Sequence, residues 1–141
     1  MKPEHKALIE ASFSVIKDES LPVPTEIKIR FSVAGTIKRR GVCYINHTTG
    51  KYKIVVPDSK ARFYESPTGR YINKEGKRVE KDLVGIELPF WDIMKTMAHE
   101  IAHLKFWQHN QEHKGYTNHI LQLIINKLGG KYDSERRTFC G

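Results

Sequence analysis

The sequence predicts an α+β fold, a small antiparallel sheet packed against three helices, and two features carry that expectation. Apolar residues recur at helical spacing near both ends of the chain but alternate with polar ones between residues 25 and 56. Pro and Gly fall where one period gives way to the other. With 141 residues, 39% of them hydrophobic, the chain can bury one core, so residues 1–141 are expected to form a single domain.

Residues 4–17, EHKALIEASFSVIK, bring Leu8, Ile9, Phe13 and Ile16 to one face of an amphipathic helix, which the two prolines of LPVPT end. TEIKIRFSV then points Ile27, Ile29, Phe31 and Val33 to one side and Lys28, Arg30 and Ser32 to the other, as a half-buried strand does. GVCYINHTTGKYKIVV holds two more strands, joined through His47–Gly50, where TTG supplies the turn. Residues 58–82 are polar, broken by Gly and Pro, and without a sustained period. They predict a long functional loop or a small hairpin excursion, with Arg70, Tyr71 and Ile72 facing Arg78 and Val79 across NKEG. DLVGIELP, 82–89, suits a short strand or an extended lead-in. Pro89 then opens a helix expected to reach about Trp107. The last helix, Asn110 to Leu128, buries Ile120, Leu121, Ile124 and Leu128 and stops at Gly129-Gly130.

Composition narrows the function classes. No stretch approaches the roughly 20 apolar residues that span a bilayer. The N-terminus lacks an apolar signal core, and Cys43 and Cys140 form neither a CxxC pair nor a disulfide framework. A cytoplasmic, nucleoid or nuclear protein that is not secreted is therefore expected. Of the net charge of +8, +7 falls between Ile27 and Pro57, where Lys28, Arg30, Lys38, Arg39, Arg40, Lys51 and Lys53 meet no carboxylate. Such a segment serves solubility, or a surface that meets nucleic-acid phosphates.

The chemistry concentrates in TMAHEIAHLKFWQH, residues 96–109. On a helix His99 and His103 share a face, so both imidazoles can reach one ion without backbone distortion. Glu100 sits about a hundred degrees round the helix, beside such an ion, where a general base for hydrolysis belongs. A chain with seven His and eleven Glu yields about 0.03 HExxH patterns by chance, so the motif is suggestive by itself. Small Ala98 and Ala102 beside it, apolar neighbours, and the histidines of QHNQEHKGYTNH strengthen it. A catalytic Zn2+ takes three protein ligands and keeps one place open. His109, where the helix should turn, is the leading third ligand. His113 is the alternative, with His119, Glu112 and Glu135 behind it, and the histidine not used packs beside the ligands.

At these residues the chain resembles the SprT-like (Spartan-related) zinc metalloprotease domain. The resemblance spans nearly the whole sequence and is carried by RFSVAGTIKRRGVCYINHTTGKYKIVV and HEIAHLKFWQH. It implies a zincin-like minimal metalloprotease, with metal ligation on His99, His103 and His109 and the general-base role on Glu100. The family's aromatic four residues past the third ligand falls on His113, a departure, and two cysteines cannot build a C-terminal zinc ribbon. Members cleave proteins crosslinked to DNA, which implies a protein or peptide substrate and a DNA contact through the basic strands. Tyr64, Tyr71, Trp91 and Trp107 are then candidates for stacking on unpaired bases, although packing suits each of them better.

The expected activity is peptide-bond hydrolysis by a Glu-activated, zinc-bound water. The substrate is expected to extend along an edge strand near Lys53 to Val56, with Tyr116 or Tyr132 as an oxyanion donor. Two rivals differ in class: a non-catalytic, zinc-stabilised DNA-binding module, and a peptidase with no nucleic-acid role.

Overall fold

A computed structural model describes residues 2–23, 26–34, 41–46, 48–60, 64–65, 71–72 and 86–140. Three helices and a small sheet make an α+β fold. Helix α1 (Pro3–Asp18) buries His5, Leu8, Ala11, Ser12, Val15 and Ile16. That stripe runs one position round from the expected one, and Phe13 is left 40% exposed. The helix ends before the prolines: the amide of Leu21 bonds the carbonyl of Ile16 (3.2 Å) around Ser20, whose φ is 49°.

Strands β1 (Glu26–Ala34), β2 (Val42–Asn46) and β3 (Lys51–Lys60) form the sheet in the order β1-β3-β2. The sheet is mixed rather than antiparallel. β2 and β3 are an antiparallel hairpin, but β3 lies between β2 and β1, so the first and third strands run the same way and pair in parallel. Ile54, Val55 and Val56, all buried, account for this placement, because an apolar run is accommodated best in the middle of a sheet. The hairpin turn uses Asn46, whose Oδ1 accepts from the amides of Thr48 and Thr49 (3.0 and 3.2 Å), and Gly50, whose φ of 68° favours glycine.

Two residues of the lead-in, β6 (Ile86–Glu87), continue the β2 side of the sheet by pairing with Ser59 and Lys60. In the polar stretch, β4 (Tyr64–Glu65) pairs with β5 (Tyr71–Ile72), so the partner of Tyr71 and Ile72 is upstream. Arg78 and Val79 lie outside the described residues.

Helix α2 (Phe90–Ala102) begins after Pro89 and stops five residues short of Trp107. It buries Phe90, Ile93, Met94, Met97, Ala98, Ile101 and Ala102 between the sheet and helix α3 (Gln111–Leu128). Each large apolar side chain in that layer contributes about 1.5–3 kcal/mol by leaving water. From α3, Ile120, Ile124 and Leu128 are buried and Leu121 is half-buried. A 3-10 turn at Gly129–Lys131, opened by Gly129 at φ 58°, leads to a two-residue ribbon, β7 (Tyr132–Asp133) with β8 (Thr138–Phe139). No helix among the described residues is long and apolar enough to cross a membrane.

Candidate metal centre

The early end of α2 makes the site. Had the helix continued to residue 109, His109 would stand about 15 Å along the axis from His99. Instead the amides of His103, Leu104 and Lys105 reach back only three residues, to Glu100, Ile101 and Ala102 (3.2, 3.0 and 3.1 Å). The chain then turns and restarts as α3, capped by Asn110, whose Oδ1 accepts from the amide of His113 (2.9 Å). His109, immediately before the cap, is thereby folded back over α2.

Three Nε2 atoms meet there. They are 3.1 Å apart for His99 and His109, 3.2 Å for His103 and His99, and 3.0 Å for His109 and His103. A tetrahedral ion bound at 2.0–2.1 Å separates its ligand nitrogens by about 3.3 Å, so the triangle fits one ion shared by three imidazoles. His99, His103 and His109 could hold a metal ion. Nitrogen donors suit Zn2+, Cu2+, Ni2+ or Fe2+ more than Mg2+ or Ca2+.

The surroundings hold the ring of His103 in a ligating form. His103 Nδ1–H donates to the carbonyl of Phe106 (3.3 Å), which leaves the Nε2 lone pair facing the other two rings. Burial, then the neighbouring His113, pulls the pKa of His103 down, which favours the neutral imidazole a metal requires.

His113, the alternative ligand, lies outside the triangle. Its Nε2–H donates to the carbonyl of His99 (3.1 Å), and its ring stacks on that of His103 with centroids 4.2 Å apart. His119 pairs with Glu19, the residue that follows α1. Glu112 is exposed in the first turn of α3, and Glu135 belongs to the β7–β8 turn, where its amide bonds Asp133 Oδ1. None of these three stands with the triangle.

Glu100 is 4% exposed and faces the start of β2. Burial pushes its carboxyl up to about 7, in the range where a group both takes and gives a proton near neutral pH. Gly41 makes the room: a Cβ there would lie 2.8 Å from Thr96 Cγ2, 3.1 Å from Glu100 Cγ and 3.2 Å from Glu100 Oε1. Cys43, buried on the same strand, is pushed up to about 12 by burial and then by Glu100, so it stays an unreactive thiol.

Two expected oxyanion donors do not reach the site. Tyr132 packs against Phe90 and Trp91 at the other end of α2, about 12 Å along the axis from His99. Tyr116 packs on Phe106 beneath Lys105, and burial and Glu19 push its phenol up to about 12. Trp91 is half-buried, parallel to Tyr132 and 4.7 Å from the Arg137 guanidinium, whereas Trp107 is 58% exposed beside His103, with centroids 5.5 Å apart. The side chains of Tyr64 and Tyr71 lie outside the described residues.

The expected edge strand is also displaced. Lys53 to Val56 lie in the central strand, Lys53 to Val55 paired on both sides and Val56 paired with Phe31 of β1, so this stretch is not an edge to which a peptide adds. Among the described residues β2 pairs with β3 alone, and its outer edge begins at Gly41–Val42, beside Glu100.

On the face of the sheet turned away from the helices, Lys28, Lys53 and Tyr44 stand in one register row, with Arg30 and Lys51 on adjacent rows. Lys28, Tyr44, Asn46, Thr49, Lys51 and Lys53 line a concavity of about 440 Å³ together with Tyr52, and the Lys53 ammonium lies 5.4 Å from the Tyr44 ring. Tyr44 was legible as an outward residue, since Cys43 and Ile45 on either side of it point inward. Lys38, Arg39 and Arg40 lie outside the described residues.

No protein-family model, curated protein or solved structure matches the chain.

Proposed function

We propose that this protein is a zincin-like metallopeptidase of the SprT-like kind, holding Zn2+ on His99, His103 and His109. One observation carries the reading: three Nε2 atoms 3.0–3.2 Å apart, with a buried carboxylate next in sequence to the first ligand. A structural site has no use for that carboxylate, and burying one is costly. A zinc ion held there supplies Lewis acidity, acidifying water and polarising a peptide carbonyl.

The chain's own residues do the rest. Glu100 takes the proton of the attacking water and hands it to the leaving amine, a double duty that suits a carboxyl near 7. Gly41 gives Glu100 its place against β2. The outer edge of β2 offers main-chain hydrogen bonds to an extended substrate, and Trp107 offers an apolar surface at the mouth of the site.

Glu100→Gln tests this directly. The variant should keep its bound zinc, measured by elemental analysis, while cleavage of an unfolded protein or peptide library falls at least about 100-fold. Turnover equal to wild type would remove Glu100 from the mechanism.

A nucleic-acid contact belongs to the same reading, supported by the cationic row across the sheet and the exposed ring of Tyr44. Because this face is turned away from α2, a bound strand would tether the enzyme near DNA-associated proteins without entering the cleft. Affinity for a single-stranded oligonucleotide should fall steeply with salt and weaken in Lys28→Glu/Lys53→Glu. Salt-independent affinity would leave a peptidase whose basic strands serve solubility.

A further inference from the structure

We propose that His113 is a positioning residue for the metal site: it fixes the backbone of one ligand and the ring plane of another without ligating. The inference rests on the metal-site reading above.

Three contacts converge on this side chain. Its own backbone is pinned, because His113 sits in the first turn of α3 and its amide is the one that caps on Asn110 Oδ1 (2.9 Å). Its Nε2–H bonds the carbonyl of His99 at 3.1 Å, joining the start of α3 to the residue that supplies the first ligand. Its ring lies against His103, 4.2 Å between centroids and 27° between planes, and meets His99 edge-on at 4.5 Å. The side chain is 3% exposed, so no solvent competes for these contacts.

The chemistry explains why a histidine serves here. The carbonyl of His99 only accepts, so the nitrogen that reaches it must carry the hydrogen, and the lone pair of that nitrogen is not available to a metal. A ring of this size fills the space behind His103 and prevents its imidazole from rotating out of the triangle. A phenylalanine would fill the same space but could not bond the carbonyl. A glutamine could bond the carbonyl but would leave the face of His103 uncovered. The two halves of the role are therefore separable. Groups that orient metal ligands in this way typically change metal affinity 10–100-fold when removed.

The experiment uses the full chain. Zn2+ affinity is measured by competition with a chromophoric chelator for wild type, His113→Phe, His113→Gln, His113→Ala and His103→Ala. Melting of each metal-free form in EDTA and the visible spectrum of each Co2+ form are recorded alongside. The Phe and Gln variants should each weaken zinc about 10-fold and the Ala variant up to about 100-fold. The losses should not follow the order of the metal-free melting temperatures, and the Co2+ bands of the Ala variant should shift or lose intensity. Zinc affinity within twofold of wild type in all three, with unchanged Co2+ spectra, overturns the proposal and leaves the metal site standing. A loss in His113→Gln as complete as in His103→Ala overturns it differently, by making His113 a ligand. Wild-type affinity in His103→Ala, or no zinc binding by wild type, overturns the metal-site reading and this inference with it. If the Ala variant does not fold, the Phe and Gln variants decide.

Discussion

The two ends of helix α2 are built to opposite rules. At its start, Phe90 and Trp91 pack against Tyr132, and Phe139 meets Phe90 edge-on at 5.5 Å. The Tyr132 hydroxyl is buried there with no hydrogen-bond partner among the described residues. Shape decides that end, and one polar atom is sacrificed to it. At the other end four imidazoles crowd together: three ring nitrogens converge on one point, and both His103 Nδ1 and His113 Nε2 bond carbonyls. There polar complementarity decides, and the helix stops early to permit it. One thirteen-residue helix thus anchors the core at one end and a histidine cluster at the other.

Substitutions at the two ends should separate these rules, and the largest effect belongs to the packed end. Phe90→Ala should cost about 3–5 kcal/mol in chemical denaturation, equally with and without zinc, because it opens a cavity. A cost that vanishes on adding zinc would mean that the two ends are not independent.

At the polar end, the metal-free protein should show the strain of its buried carboxyl. The folded-state pKa of Glu100, about 7, lies above the usual 4.5. Between these values the unfolded chain has released its proton while the folded one retains it, so stability falls as pH rises through that window and is flat above it. The loss amounts to about 3 kcal/mol. Glu100→Gln should remove it, making the variant the more stable protein at pH 8 but not at pH 4. Parallel pH profiles for the two proteins would show that Glu100 is not buried as a charge.

Tyr132→Phe should be neutral or stabilising by about 1 kcal/mol, since it deletes a hydroxyl that gains nothing from its burial. A clear loss of stability would reveal a partner for that oxygen. The smallest stability effect, within about 0.5 kcal/mol, is expected for Trp107→Ala, because the ring is mostly in solvent. There the readout is kinetic: KM for peptides should rise several-fold with zinc affinity unchanged. An unaltered KM would take Trp107 out of the substrate surface.

Much of this molecule was legible from residue order. The alternation in EIKIRF, the turn at TTG, the cap at Asn110 and the stop at Gly129 were all local patterns, and local backbone chemistry produces them, although the part of Asn46 in that turn was not foreseen. The pairing of His99 with His103 was equally legible, because helical geometry alone places them together. The register of α1 was not. Phe13 and Val15 both suit an amphipathic helix, and only the shape of the opposing layer selected Val15 and left Phe13 in solvent.

The sequence by itself determined which residues could carry the chemistry: two imidazoles one turn apart, a carboxylate beside them, and further histidines close behind. The tertiary structure alone decided which of those histidines joins the triangle, because that depends on where α2 stops, and KFWQ contains no glycine or proline to announce the stop. It likewise decided that Lys53 to Val56 are enclosed and that, among the described residues, β1 and β2 are the outer strands, since strand order reflects competition for burial among segments distant in the chain. Local patterns are fixed by neighbours a few residues away, whereas a site assembled from two helices and a strand is fixed by how their surfaces fit.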